Sequence, residues 1–247
     1  NDATARNLTF SGAVSIASGG SIAAGATAIT HTMIIGGDLT NDGTFDGLPG
    51  SGRIINVTFN KSGSATISGT GTTTRFNKIT LNMGNSKNNI LEISSSNFTA
   101  SAGFLTLTNG TLKMSGSYSF TNTFFSSTGY TIGSTQGIWL NNANVIVSAQ
   151  NGTPLVDGGT LRITSGTYNV GTSSGNSLTY KNSAAITVEG GALNLAGRLS
   201  PQTAGTSTHT VIYNQSDGTV TVVTAGSTSG ALAGFDISIS GSSFTMS

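Results

Sequence analysis

The chain has 247 residues, of which only 8% are charged, and its formal net charge is +1. This balance excludes the strongly basic surface with which proteins bind nucleic acid or an anionic membrane. No apolar run reaches the roughly 20 residues of a membrane-spanning helix, so no membrane insertion is expected. The hydrophobic share of 36% favours a folded chain, because disordered chains combine low hydrophobicity with high net charge.

Apolar and polar residues alternate in short triplets along the chain, and turns rich in Gly, Ser and Asn separate the triplets. A period of two predicts strands, because successive side chains of a strand point to opposite faces. In chain order the triplets span residues 8–10, 14–16, 57–59, 79–81, 91–93, 105–107, 112–114, 118–120, 145–147, 161–163, 168–170, 186–188, 193–195 and 237–239.

These strands are too short and too numerous for a β-sandwich, whose turn signals come every 8 to 12 residues or so. Internal similarity favours a solenoid instead, because the segments that begin at Asn109, Gly158 and Gly190 resemble one another. A coil of roughly 20 to 28 residues gives on the order of ten coils. We therefore predict an all-β fold: a right-handed parallel β-helix (β-solenoid) of roughly ten coils, in a single domain over residues 1–247.

Glycine-rich corners and one irregular segment are predicted within this solenoid. Pairs such as Ser165-Gly166 and Gly190-Gly191 favour tight corners, where glycine supplies the positive φ that other residues avoid. Residues 41–53 concentrate Asp, Gly and Pro49. This composition predicts a loop excursion there.

Neither end of the sequence carries a recognisable cap. Residues 1–10 enter a Leu-Thr-Phe strand, and residues 244–246 form an apolar pair after which no turn follows. Uncapped solenoid ends present unpaired strand groups that template further pairing. We therefore expect both ends to continue into more β-structure, supplied by further coils of a longer chain or by neighbouring copies in a filament.

Two stretches resemble a known class of protein. Residues 56–82 (NVTFNKSGSATISGTGTTTRFNKITLN) and residues 158–202 resemble the repeat regions of large secreted cell-surface proteins from Bacteroidota and related bacteria. The resemblance implies a β-helical, adhesin-like stalk that is exported by type IX secretion to the bacterial cell surface. It implies no catalytic activity.

Residues suited to metal binding are sparse. Asp38, Asp42 and Asp46 form the one cluster among the nine acidic residues and are candidate oxygen ligands for Ca²⁺. Their spacing matches neither an EF-hand loop nor the nonapeptide calcium repeat, so solvated turns are the favoured interpretation. His31 and His209 stand far apart in a chain without Cys. No metal and no cofactor are predicted.

The adjacent Phe124 and Phe125 are candidates for a contact surface. Neighbouring residues of a strand point to opposite faces, so at least one ring is expected to be exposed unless the pair lies at a corner. An exposed phenylalanine marks an interaction site.

The sequence thus predicts a non-catalytic, extracellular structural or adhesive protein, a stalk or a filament unit. Its expected partners are copies of itself, further coils and surface polysaccharide. The alternative is a carbohydrate-active β-helix protein that binds or cleaves polysaccharide. Two carboxylates within about 10 Å of each other in an outer groove, beside a basic residue, would favour that alternative.

Overall fold

A computed structural model describes residues 4–203, 211–223, 235–239 and 243–246, with the backbone alone in the last two ranges. The regular structure in these ranges is β-strand, and none of it is a helix that could cross a membrane. The chain divides into two compact bodies, Asn1–Ser126 and Ser127–Ser247. Each body is a parallel β-solenoid.

The strands of the first body are short because a corner follows after only a few residues. In chain order they are β1 (Asn7–Phe10), β2 (Val14–Ile16), β3 (Ser21–Ala23), β4 (Thr30–Ile35), β5 (Leu39–Asn41), β6 (Thr44–Asp46), β7 (Ile54–Phe59), β8 (Ala65–Ser68), β9 (Thr73–Phe76), β10 (Lys78–Asn82), β11 (Ile90–Ile93), β12 (Thr99–Ala100), β13 (Leu105–Met114) and β14 (Phe120–Asn122).

Parallel pairing between successive turns arranges these strands on three sides. Side A stacks β1, β4, β7, β10 and the first part of β13. Side B stacks β2, β5, β8, β11 and the second part of β13, which turns the corner at Gly110 with a φ of 99°. Side C stacks β3, β6, β9 and β12. One turn of chain therefore contributes one strand to each side.

The second body repeats this plan. In chain order its strands are β15 (Thr131–Ile132), β16 (Gln136–Val147), β17 (Leu155–Asp157), β18 (Thr160–Val170), β19 (Leu178–Lys181), β20 (Ala184–Val188), β21 (Ala192–Leu195), β22 (Leu199–Pro201), β23 (Val211–Gln215), β24 (Thr219–Val222), β25 (Phe235–Ile239) and β26 (Ser243–Met246).

Its three sides are again parallel. One side stacks β15, β17, β19 and β22. A second side stacks the first part of β16, the first part of β18, β20, β23 and β25, and the third stacks the second parts of β16 and β18 with β21, β24 and β26. The predicted fold class is confirmed, although the described residues form about eight turns where roughly ten were predicted.

Alternation along the strands places the apolar residues of the triplets inside and the polar residue between them outside. The burial of β7, for example, alternates along Ile54–Phe59, and Val57 and Phe59 are almost completely buried. In the first body the core holds a continuous array of phenylalanine rings, in which Phe98 lies 5.7 Å from Phe76 and 5.6 Å from Phe120, measured between ring centroids. Stacking turns bury side chains that no single turn could cover.

The core of the second body holds tyrosines as well as aliphatic residues. Tyr168, Tyr180 and Tyr213 are fully buried. Their hydroxyl groups need partners inside, because an unpaired buried polar group is costly. The hydroxyl oxygens of Tyr130 and Tyr168 lie 2.6 Å apart, and the hydroxyl of Tyr213 donates to Oε1 of the buried Gln215 at 2.9 Å.

The loop predicted over residues 41–53 is shorter than expected. Strand β6 lies inside this segment, and the irregular parts are residues 42–43 and 47–53. There the guanidinium of Arg53 donates to the carbonyl of Pro49 at 2.7 Å. The prediction failed for Thr44–Asp46 because Phe45 stands between two polar residues, so its ring enters the core while Thr44 and Asp46 face outward.

Candidate functional surface

The outward residues of side B in the first body form a continuous polar surface, called here the polar face. Its members come from or beside three consecutive strands and are neither apolar nor aromatic. They are Asp38, Thr40 and Asp42 at β5, Thr66, Ser68 and Thr70 at β8, and Glu92 and Ser94 at β11.

Two carboxylates of the polar face lie on opposite sides of one threonine. Thr66 is in register with Glu92 on the next turn, and the backbone N–H of Thr66 donates to the Asp38 carboxylate at 2.9 Å. Strands in a sheet are about 4.8 Å apart, so the backbones of Asp38 and Glu92 are about 10 Å apart. A cavity of 240 Å³ opens between them, and Lys61 lines it with Nζ at 3.9 Å from Asp38.

Hydrogen bonds and a neighbouring charge lower the pKa of one member of this pair, Glu92. Glu92 accepts hydrogen bonds from Lys113 Nζ at 2.9 Å and Ser115 Oγ at 2.7 Å. Burial raises the pKa of Glu92, but these two hydrogen bonds and the charge of Lys113 together lower it by more, so its pKa lies below the ordinary value. A general acid for glycoside cleavage needs a raised pKa. Its lowered pKa therefore does not suit Glu92 to the general-acid role.

A second cavity lies at the other end of β5. It has a volume of 430 Å³ and is lined by Asp42 and by the hydroxyl groups of Ser18, Ser21, Thr70 and Thr72. The Asp42 carboxylate accepts from the backbone N–H of Thr70 at 2.9 Å and from its hydroxyl at 3.1 Å. Both cavities thus contain a carboxylate that the following turn holds in place.

The structure does not bring Asp38, Asp42 and Asp46 together as ligands. Asp38 and Asp42 accept backbone N–H groups at opposite ends of β5, while Asp46 forms a two-bond ion pair with Arg75 on side C at 2.7 and 2.6 Å. Among the described residues, no group of three His, Cys, Asp or Glu side chains has the geometry of a metal site. Strand β5 separates Asp38 from Asp42, and the corner between β5 and β6 separates Asp42 from Asp46.

One of the two histidines lies among the described residues. His31 Nδ1 accepts the backbone N–H of Arg6 at 3.1 Å, and His209 lies outside the described residues.

The expected contact surface at Phe124 and Phe125 is not present. Phe124 is completely buried and Phe125 is 7% exposed, so neither offers an exposed ring. Both residues follow the end of β14, in an irregular segment where strand alternation does not apply. The ring of Phe124 packs 5.5 Å from that of Phe104.

Ion pairs between successive turns are a feature that the sequence reading missed. Asp46 pairs with Arg75, Glu92 with Lys113, Asp157 with Lys181 and Glu189 with Arg162. Each pair joins neighbouring strands of one side, so its members are about one turn apart in sequence. A search for opposite charges separated by one coil length would have found them.

The pair of Arg162 and Glu189 leads to a prediction on acid stability. Hydrogen bonds from Arg162 lower the pKa of Glu189 below its usual value of 4.5. A carboxylate with a lowered folded-state pKa stabilises the fold above its unfolded pKa and loses that contribution as the pH falls through the folded pKa. We therefore expect Glu189→Gln to remove part of the stability loss below pH 4.5, by less than about 1 kcal/mol because the pair is partly exposed.

The measurement is the free energy of unfolding in urea at pH 7 and pH 3, followed by circular dichroism. Asp217→Asn, at an exposed carboxylate of the same body, is the matched control. An identical pH dependence for Glu189→Gln and the unmodified chain would contradict this role.

Comparison with known proteins gives no match. The chain matches no protein family, no curated protein and no solved structure. The functional argument therefore depends on the geometry of the chain itself.

Proposed function

We propose that the chain is a non-catalytic structural and adhesive β-solenoid of an extracellular bacterial surface, as the resemblance to Bacteroidota cell-surface repeats implies. The low charge and the outward rows of Thr, Ser and Asn support this proposal. Outward amide groups also link turns: Asn194 donates to Asn169 at 2.9 Å and Asn77 to Asn56 at 2.8 Å. Such a surface is suited to a stable stalk that adheres to other surfaces through many weak contacts.

The observation that carries the proposal is the end face of the first body. Leu8 and Phe10 of β1 occupy inward positions, in register with the buried Met33 and Ile35 of β4. They are nevertheless 43% and 37% exposed, because the described residues place no turn over them. Exposed apolar side chains beside a strand edge favour further strand pairing. In this proposal another β-coil covers the face, either a coil of a longer chain or a neighbouring copy.

We expect residues 1–247 to associate at micromolar concentration and Phe10→Lys to weaken that association at least tenfold, since a lysine here would be buried without a partner. Sedimentation velocity of both chains measures it. Ile212→Lys is the control, because Ile212 is 50% exposed on an outward position of the second body. The mass of the native polypeptide separates the two versions: further coils of the same chain require a much larger mass. A monomeric chain whose native mass is 24.8 kDa would refute both.

A carbohydrate-active protein remains the second candidate, because Asp38 and Glu92 flank a groove beside Lys61. The lowered pKa of Glu92 opposes acid catalysis and leaves polysaccharide binding as the favoured form of this candidate. Release of reducing ends from a polysaccharide, abolished by Glu92→Gln, would establish catalysis instead.

A further inference from the structure

The polar face has the features of a binding surface for hydroxyl-rich ligands. Its two cavities, of 240 and 430 Å³, lie at the two ends of β5, about 13 Å apart at 3.3 Å per residue. Hydroxyl groups lie between them, with Thr40 Oγ1 at 3.5 Å from Ser68 Oγ. A ligand that spans the face meets acceptors and donors along its whole length.

The acceptors are positioned before any ligand arrives. The backbone N–H groups of Thr66 and Thr70 hold the carboxylates of Asp38 and Asp42, and Lys113 holds Glu92. Groups that are already ordered lose little conformational entropy on binding. Each carboxylate retains lone pairs for further hydrogen bonds, because an ionised carboxyl group accepts about four.

Charge restricts the class of ligand. The carboxylates of Asp38, Asp42 and Glu92 and the ammonium groups of Lys61 and Lys113 leave the face with a net charge of −1. Three carboxylates would repel an anionic polymer, and two of them line the cavity of 240 Å³. A neutral ligand whose hydroxyl groups both donate and accept fits this mixture.

We propose that the polar face of side B binds a neutral polysaccharide through hydrogen bonds from its hydroxyl groups to Asp38, Asp42 and Glu92. This inference rests on the adhesive function proposed above and gives it a site and a ligand class. No aromatic side chain lies on the face, so stacking contributes nothing to affinity. The affinity of a single polar face is therefore low, and the avidity rises where many copies of the face bind one polymer.

Affinity electrophoresis tests the proposal with mixed-linkage β-glucan, dextran, mannan and polygalacturonate cast separately into the gel. We expect at least one of the three neutral polymers to retard the chain and polygalacturonate not to retard it. Asp38→Asn and Asp42→Asn should each weaken binding about tenfold, because each loses a hydrogen bond to a charged acceptor. Lys61→Gln, an exposed substitution, should weaken it as well.

Asp217→Asn is the matched control, because Asp217 also accepts a backbone N–H, from Gly218 at 2.7 Å, but lies in the second body. It should bind like the unmodified chain, and circular dichroism confirms that each variant is folded. The proposal is overturned if no neutral polymer retards the chain, if the Asp38 and Asp42 variants bind undiminished, or if polygalacturonate binds more strongly. Self-association measured by sedimentation is independent of these results, so failure here leaves the structural role intact.

Discussion

Replacement of Phe98 by alanine is expected to lower the free energy of unfolding of the first body by about 3–5 kcal/mol. Phe98 is 1% exposed, and its ring packs against four other aromatic rings at centroid distances of 5.4 to 6.0 Å. Truncation removes these contacts and leaves a cavity that the flanking turns cannot close without breaking their strand register.

Hydrogen exchange in urea, read at the amides of β7, β8 and β10, measures this loss within the first body. Phe10→Ala is the matched control, since it removes the same side chain from the exposed end face. It should cost clearly less than Phe98→Ala in the isolated chain, because Phe10 is already 37% exposed and less buried apolar area is lost. Equal effects of the two substitutions would show that the ring array contributes no more than a surface side chain.

Gly191→Ala is expected to destabilise the second body by about 3 kcal/mol or more. Gly191 has a φ of 69°, and a Cβ atom there would lie 2.2 Å from the carbonyl oxygen of Gly166 on the preceding turn. A non-glycine residue at positive φ costs about 1–3 kcal/mol, and the overlap with backbone adds overpacking strain of about the same size. Turns therefore cannot stack at their normal spacing around this corner.

Fluorescence of Trp139, the single tryptophan of the chain, follows urea unfolding of the second body. Gly175→Ala serves as the control, because a Cβ atom at Gly175 meets nothing within 4 Å and its φ is not positive. We expect Gly175→Ala to change stability by less than about 1 kcal/mol in either direction. A Gly191→Ala chain as stable as Gly175→Ala would mean that the corner can relax.

Local sequence was enough to predict many of the strands and many of their corners. Apolar alternation identified the inward side chains, because successive side chains of a strand point to opposite faces. A register shift of one residue would move the apolar side chains out of the core. Glycine at Gly110, Gly166 and Gly191 marked corners, and all three adopt positive φ. The parallel solenoid followed, because the strands are too short and too numerous for a sandwich and stacked turns bury them.

The partners across turns were not predictable, because turn length varies. Leu39 pairs with Ile67, 28 residues later, whereas Leu91 pairs with Leu112, 21 residues later. Without the turn lengths, the sequence grouped Asp38 with its sequence neighbours Asp42 and Asp46. The groove instead joins it to Glu92, two turns further along the chain.

The phenylalanine array has a thermodynamic consequence for the first body. In most solenoids each repeat touches its neighbours alone, and stability is a sum of nearest-neighbour terms. Here the rings of Phe45, Phe76, Phe98 and Phe120 strengthen three of these nearest-neighbour terms in a row, because each ring contacts the ring of the next turn. These turns should open together as one cooperative unit. The first turn contains the exposed Leu8 and Phe10 and lies outside the array, so it should fray independently.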